Sequence, residues 1–431
     1  MTSVLSGRSR LIVAGVVALL VVAGAIAWAA TRGNPFIVGA VYPTNGGQGP
    51  GGVEEYRGVQ LAAALANSQG GVHGQQIDLR LKETDSADAA PGSVDSLMAG
   101  GAKVVVGSYG STIAYPAAVQ TYDKGGVFWE TGAVGDLGEM STETAAPYLG
   151  TRVFRFPPAG TVLGSAAIDF INSELRTQLP ARPLTYSVAY VNDDYGSEVG
   201  QGALDEIHKL GLLLGATLPY DLNTANYAQM AASIAQAHTD VLFVSSYLND
   251  AESLRQQILA QHVPLLVNIG TSSSYCLPQF GAALGSEAVG LFASDKPDAD
   301  VLKTSNLTPA AAQALSWAKS QYAQRWGGSM SAAALTGFAG AWALFHDVLP
   351  AARAMTPAGI AAAAQAMNLP MGALPNGSGL QFGTRGTASA GENVRALSVI
   401  WEWTAPNTRA VVYPPAYATA PIHLLPVSSA A

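Results

Sequence analysis

Short apolar runs rich in β-branched residues alternate along the chain with longer stretches that have helical spacing. Six of these runs have the length and composition of buried strands: FIVGAV (36–41), IDLRL (77–81), KVVVG (103–107), VFWE (127–130), YSVAYV (186–191) and DVLFVSS (240–246). The segment 53–69 follows the first run, and its apolar residues fall on one helical stripe. This alternation predicts an α/β fold in which crossover helices cover both faces of parallel sheets.

The alternation is interrupted at three places, near 155–160, 295–300 and 375–383, by segments rich in proline, glycine or charge. Three crossings predict two doubly wound parallel-sheet lobes joined by three hinge segments, because the chain returns to each lobe. About 400 residues also suit two domains better than one core. The predicted lobes comprise 36–156 with 293–378, and 157–292 with 379–425.

The first 33 residues differ from the rest of the chain. Arg8 and Arg10 precede the stretch 11–30, in which every residue is apolar or glycine. About 20 such residues can cross a bilayer as a helix, and basic residues before them keep the N-terminus in the cytoplasm. We therefore expect residues 1–33 to form a hydrophobic helix, either a cleaved signal peptide or a membrane anchor, with the remainder extracytoplasmic.

The charge balance excludes one class of partner. The chain has 22 basic and 30 acidic residues and a net charge of −8. Because nucleic-acid binding needs a basic face, we expect no nucleic-acid partner. Cys276 is the only cysteine, so no internal disulfide can form. Without a basic cluster nearby, this thiol is expected to pack in the core rather than react.

The glycine-rich loop NGGQGPGG (45–52) formally contains the Gly-x-Gly-x-x-Gly pattern of dinucleotide sites. Pro50 removes a backbone N–H from the turn that should hold the phosphate. The acidic residues after the next strand, Glu83 and Asp85, lie too far along the chain to bind the ribose. A loop whose backbone approaches a smaller ligand is the better interpretation, and no cofactor is expected.

A cluster of hydroxyl groups follows the third predicted strand. In VVVGSYGSTIAYPAAV (104–119), the apolar run gives way to serine, tyrosine and threonine before a helical stretch. Hydroxyl and free N–H groups at a helix start suit an anion such as a carboxylate, although the same hydroxyls could simply cap the helix. The next strand ends in ETGAVGD (130–136), where Gly132 and Ala133 could expose backbone groups. Such strand ends are where ligands bind in open parallel sheets.

The sequence offers no catalytic constellation. It contains neither a GxSxG nor an HExxH motif, and its six histidines are scattered along the chain. Asp193 and Asp194 are adjacent, but consecutive side chains tend to point apart, which weighs against joint acid–base work. We therefore expect a protein that is not an enzyme and that has no metal site.

The order of these motifs resembles that of the leucine/isoleucine/valine-binding family of periplasmic solute-binding proteins, which serve ABC importers. The resemblance covers nearly the whole exported chain. Besides the glycine-rich loop and the helix at 53–69, the segments that carry it are GGVHGQQIDL (70–79), KVVVGSYGSTIAYPAA (103–118), YVNDDYGSEVGQG (190–202), DVLFVSSYLND (240–250), PQFGAALGSEAVGLFAS (278–294) and GLQFGTRG (379–386).

The resemblance implies a set of ligand-binding residues at the strand ends. In such proteins the serine after the third strand holds the ligand carboxylate, backbone groups after the fourth strand also contact it, and two aromatic residues close from the second lobe. The matching residues here are Tyr109, Gly110, Ser111, Gly132, Ala133, Tyr195 and Tyr247. Each tyrosine can supply an apolar wall with a polar tip.

Two positions depart from the family pattern. Val134 stands where the family has a threonine that helps to bind the amino-acid head group, and valine has no hydroxyl. The acidic partner of the ligand ammonium should fall near 268–276, a stretch with no Asp or Glu. A buried ammonium without a counter-charge would be costly. The ligand therefore stays open among amino acids, amides and carboxylates.

The function that the resemblance implies is capture of a small organic ligand between two lobes for the membrane permease of an ABC importer. An extracytoplasmic sensor or regulator of the same fold is the main alternative. An exported hydrolase is a further alternative, and it would need a nucleophile and a base that converge in the cleft.

Overall fold

The computed structural model of the chain describes residues 34–138, 148–424 and 427. The predicted hydrophobic helix at 1–33 lies outside the described residues. So does residue 425, the predicted end of the second lobe.

The first half of the chain builds a five-stranded sheet. All of its strands are parallel, in the order β2-β1-β3-β4-β5. They are β1 Phe36–Tyr42, β2 Ile77–Glu83, β3 Val104–Gly107, β4 Val127–Glu130 and β5 Val153–Arg155. The crossover helices are α1 Gly49–Ser68, α2 Ala90–Ala99 and α3 Ser111–Asp123. All four residues of β3 are buried, as expected for a strand covered on both faces.

A second sheet of seven strands follows, in the order β12-β11-β10-β9-β8-β6-β7. Its strands are β6 Thr185–Val191, β7 Leu213–Tyr220, β8 Val241–Ser245, β9 Val267–Thr271, β10 Phe292–Asp295, β11 Val399–Ala405 and β12 Thr408–Tyr413. Strands β6 to β10 are parallel, whereas β11 and β12 pair antiparallel at one edge. Helix α4 Gly160–Phe170 precedes β6, and the helices between the strands are α5 Asp194–Lys209, α6 Tyr227–Gln236, α7 Leu248–Ala260 and α8 Pro278–Leu284.

Between β10 and β11 the chain returns to the first sheet with three more helices. They are α9 Pro309–Trp326, α10 Ala332–Trp342 and α11 Pro357–Gln365, and α10 continues as a π-helix over Ala343–Val348. Helix α10 lies directly on α1 because two glycines allow the close approach. A Cβ atom at Gly58 would lie 2.0 Å from Ala334 O, and one at Gly337 would lie 2.2 Å from Glu55 O.

Within the described residues, one helical stretch, Ala332–Ala351, is long and apolar enough to cross a membrane, with a mean hydropathy of 1.3. Of the most apolar 18-residue segment of this stretch, 78% is buried inside the protein. Its first part is α10, which packs on α1, so this stretch is a core helix of the first lobe.

Each sheet has its own hydrophobic core. One core is built around β6 to β12, and two smaller ones lie on the two faces of the first sheet. The predicted fold class, two doubly wound α/β lobes, is confirmed. The lobe boundaries at 156/157, 292/293 and 378/379 stay a prediction.

Candidate functional site

A pocket lies where the carboxyl ends of strands from both sheets face each other. Ten described residues line it: Gln48, Tyr109, Ser111, Gly132, Val134, Tyr195, Tyr247, Ser272, Ser273 and Lys296. The cavity between them has a volume of only about 20 Å³. One ordered water needs roughly 10–15 Å³. The two lobes are therefore drawn together around a small space.

Ser111 forms the lobe-one wall at the start of α3. The residue before it, Gly110, is extended and places Ser111 as the first helical residue. The Ser111 Oγ accepts a hydrogen bond from the Gly135 N–H at 3.0 Å. A hydroxyl has one proton to donate, and this contact uses only a lone pair. Ser111 is 3% exposed, and its proton remains available to an acceptor in the pocket.

Tyr109 stands beside Ser111, and its ring lies across the first turn of α1. A Cβ atom at Gly51 would lie 2.0 Å from the Tyr109 Cζ, so only glycine fits there. The glycine-rich loop was expected to approach a ligand with its backbone. In the structure Gly51 accommodates the Tyr109 ring, and the loop residue that lines the pocket is Gln48.

The carboxylate of Glu130 accepts hydrogen bonds from the backbone N–H groups that follow β3 and β4. Its Oε1 accepts from the N–H groups of Ser108 at 2.8 Å, Gly132 at 2.8 Å and Ala133 at 2.7 Å. The two N–H groups that the resemblance assigns to a ligand are thus bonded to the protein itself. Gly132 still lines the pocket, whereas Gly110 and Ala133 are absent from its described lining. A ligand contact at Gly110, Gly132 or Ala133 stays a prediction.

Two tyrosines form the lobe-two wall. Tyr195 lies in the first turn of α5, and its hydroxyl donates to the carbonyl oxygen of Ser272. The Tyr247 hydroxyl donates to Asp193 Oδ2 at 2.7 Å and accepts from Gln48 Nε2 at 3.3 Å. The ring centroids of Tyr195 and Tyr247 are 5.4 Å apart. Because both phenol groups are engaged within the protein, the rings act as walls with fixed positions.

Asp193 fixes the positions of both tyrosines. It is the N-cap of α5, and its Oδ1 accepts from the N–H groups of Tyr195 at 3.1 Å and Gly196 at 2.8 Å. Its other oxygen accepts from Tyr247. The carboxylate therefore ties the helix start that carries Tyr195 to the loop that carries Tyr247.

Lys296 is a pocket residue that sequence reasoning missed. It directly follows β10, it is 6% exposed, and its Nζ donates to Gly132 O across the cleft at 2.9 Å. It forms no salt bridge with any described carboxylate. The sequence signal was weak, because a lysine within DKPDAD (295–300) resembles the solvated charges of a hinge.

Buried acids lie behind the lobe-one wall. The Glu55 Oε1 accepts from Thr131 Oγ1 at 2.7 Å. Burial, and then repulsion from Glu130, raise the pKa of Glu55 to about 8, while Lys296 acts in the opposite direction. Burial likewise raises the pKa of Glu130 to about 7, against the pull of its backbone donors. Glu55 is therefore mostly protonated at neutral pH.

A third buried acid, Asp295, lies at the end of β10. Its Oδ2 accepts from Cys276 Sγ at 2.8 Å, and burial raises the pKa of both groups. The thiol is buried and protonated, which agrees with a packing role. Among the described residues, no group of three or more His, Cys, Asp or Glu side chains could hold a metal ion.

Both sequence departures lie at the pocket. Val134 lines it without a hydroxyl, and the stretch 268–276 contributes the hydroxyl residues Ser272 and Ser273 but no acid. The pocket thus contains four of the seven predicted residues as side chains, namely Tyr109, Ser111, Tyr195 and Tyr247, and a single cation.

The comparisons with known proteins agree in fold and family. The model of the periplasmic binding protein family matches residues 35–396. The Leu/Ile/Val-binding protein homolog 8 of Brucella abortus is 26% identical over 370 residues, which is 85% of this chain and 87% of that protein. A leucine binding protein from Thermotoga maritima superposes with a TM-score of 0.70 at 13% identity, over 87% of this chain and 97% of that one.

A second solved structure is the branched-chain amino acid transporter substrate binding protein of Streptococcus pneumoniae, in complex with isoleucine. It superposes with a TM-score of 0.67 at 16% identity, over 88% of this chain and all of that one. At this identity, the two solved structures bear on the fold.

Proposed function

The chain belongs to the periplasmic binding protein family, and from that premise we propose that it captures a small organic molecule between its lobes for the membrane permease of an ABC importer. The observation that carries this proposal is the pocket itself. Its walls come from strand ends of both sheets, so a ligand there contacts both lobes only when they approach each other.

Contacts across the cleft support this arrangement. Gln48 of lobe one donates to Tyr247 of lobe two, and Lys296 at the end of β10 donates to Gly132 O. Because these hydrogen bonds are few, they favour a closed form without fixing it permanently. A ligand that adds contacts to both walls then shifts the population toward the closed form, which a permease can recognise.

The proposed ligand is a small amino acid, amide or carboxylate. The Brucella relative is named for leucine, isoleucine and valine, and the Streptococcus structure holds isoleucine. In this chain Ser111 offers a free hydroxyl proton to a ligand oxygen, and Tyr195 and Tyr247 offer apolar faces. Ligand contacts at Tyr109, Ser111, Tyr195 and Tyr247 are part of the proposal.

The described lining also supports binding without chemical change. No histidine or carboxylate is among the ten residues, and Lys296 makes no hydrogen bond to Ser111. A hydrolase would need such a base within reach of its nucleophile. The protein would act outside the cytoplasm. Residues 1–33 would direct its export and would then either be cleaved off or remain as a membrane anchor.

Thermal unfolding of residues 34–431 against a panel of amino acids, amides and carboxylates tests the proposal. A ligand at about 100 times its Kd should stabilise the protein by roughly 2.7 kcal/mol and be recovered unchanged. Ser111→Ala should weaken binding of any carboxylate markedly. Ser331→Ala is the matched control, because Ser331 caps α10 away from the pocket and should lower stability without changing affinity. A panel with no binder, or a ligand that is hydrolysed, would overturn the proposal.

A further inference from the structure

We propose that Lys296 is the counter-ion of the ligand, and that the site takes a small organic anion without an ammonium group. This inference rests on the proposed function, because it names the chemical class of the molecule that the cleft captures. It departs from the branched-chain amino acids for which the relatives are named.

The charges of the pocket lining favour such an anion. Lys296 is the one charged side chain among the ten described lining residues, and the others are hydroxyl, amide or apolar. An α-amino acid would bring an ammonium into a pocket whose only ionic group is another ammonium. A like charge of this kind disfavours binding, and no lining carboxylate offsets it.

The surroundings of Lys296 leave its charge to be met by the ligand. Its ammonium has three donors, and Gly132 O accepts one of them. It forms no salt bridge with a described acid, although it is 6% exposed. Lys296 lowers the pKa of Glu55 and of Asp295 through space, but no described carboxylate lies within salt-bridge distance of it. An anion that enters the pocket would therefore give this ammonium a direct ion pair.

Each neighbouring acid has one carboxyl oxygen bonded to a group other than Lys296. Glu55 accepts from Thr131, Asp295 accepts from Cys276, and Glu130 accepts from three backbone N–H groups. Burial raises the pKa of each of these carboxyl groups, while Lys296 lowers the pKa of Glu55 and of Asp295. The charge of Glu130, where it is present, is balanced by its backbone donors and by Arg155. These acids therefore do not neutralise Lys296 in the way that a salt bridge would.

Ser111 supplies a second donor, from the first sheet, whereas Lys296 follows a strand of the second sheet. Its hydroxyl proton is free, and it begins α3, whose N-terminus carries no side-chain cap. Helix N-termini attract anions through their unpaired N–H groups and dipole. An anionic head placed between Ser111 and Lys296 would thus be held from lobe one and from the end of β10 together. The narrow space favours a short molecule.

Matched ligands with the same carbon skeleton provide the test. Binding of alanine, propionate and propionamide, and of leucine, 4-methylpentanoate and 4-methylpentanamide, is measured by calorimetry on the wild-type protein. We expect propionate or 4-methylpentanoate to bind most tightly in its set, by roughly 10- to 100-fold. If the amino acid or the amide bound more tightly, this inference would be overturned while the proposed function stood. If none of the six bound, this inference would be overturned, and the wider thermal-unfolding panel would decide the proposed function separately.

Two variants test the role of Lys296 itself. Lys296→Met should lose roughly 10- to 100-fold in affinity for the carboxylate and little for the amide, whereas Lys296→Arg should keep part of the preference. Thermal unfolding without ligand checks that Lys296→Met is folded. An unchanged carboxylate-to-amide preference in a folded Lys296→Met protein would refute the assignment.

Discussion

Replacing Glu130 should destabilise the first lobe by more than the loss of a single hydrogen bond would. Glu130 is the last residue of β4, it is fully buried, and one oxygen accepts from three backbone N–H groups at 2.7–2.8 Å. Those donors belong to the loops after β3 and β4, which carry Ser111 and the lobe-one wall. Glu130→Ala leaves all three donors buried without an acceptor.

The magnitude follows from those three contacts. A buried donor without a partner costs about 1–3 kcal/mol, and the three share one acceptor, so their costs do not simply add. Part of the loss is offset because a carboxyl whose pKa burial raises no longer has to be desolvated. We expect Glu130→Ala to lower the free energy of unfolding by about 3–5 kcal/mol. Glu130→Gln keeps an oxygen in the same place and should cost about 1–2 kcal/mol.

Urea denaturation of residues 34–431 measures this loss. Trp129 precedes Glu130 and packs against Phe154 and Phe382, so it contributes a lobe-one signal to the fluorescence. Glu402→Ala is the control, because Glu402 is equally buried but accepts one N–H, from His423 at 3.2 Å. The reasoning fails if Glu130→Ala costs under about 1 kcal/mol, or if Glu130→Gln or Glu402→Ala costs as much as Glu130→Ala.

Two further outcomes follow from the site. Gly51→Ala should displace the Tyr109 ring and weaken ligand binding about tenfold. Gly47→Ala is the control and should bind normally, because a Cβ atom at Gly47 would meet nothing within 4 Å. Equal affinities of the two variants in calorimetry would contradict this prediction. Burial raises the pKa of Glu55 from its ordinary value of 4.5 to about 8 in the folded protein, so the stability that this group contributes falls as the pH rises through that window. Glu55→Gln should therefore gain stability relative to the wild type between pH 5 and 8 in urea titrations, and a constant difference would refute the sign.

The sequence predicted the fold well because its strands are covered on both faces. Runs such as those of β3 and β8 are almost entirely apolar, and the structure buries every residue in them. The antiparallel pairing of β11 with β10 and of β12 with β11 was not predicted, since it depends on a crossing late in the chain. The family resemblance was confirmed as well.

Part of the site could be predicted for the same topological reason. Carboxyl ends of parallel strands meet at one edge, so Tyr109, Ser111, Tyr195 and Tyr247 converge in one pocket. Their contacts with a ligand stay predictions. Lys296 escaped notice because its burial depends on two lobes coming together, which no local pattern records.

Glu130 and the glycine-rich loop show a second limit. The three donors of Glu130 come from two loops that only the folded sheet brings around one oxygen. The small size of Gly51 matters because of Tyr109, a residue far along the chain. Local spacing reveals that a glycine is present, but it does not reveal which group lies against it.

A crystal structure of residues 34–431 with the tightest-binding member of the six-compound panel would test the central claim most directly. We expect one intact molecule in the pocket, with its carboxylate between Ser111 and Lys296 and its carbon chain against Tyr195 and Tyr247. A ligand bound outside the cleft, held by one lobe alone or chemically altered would contradict the account.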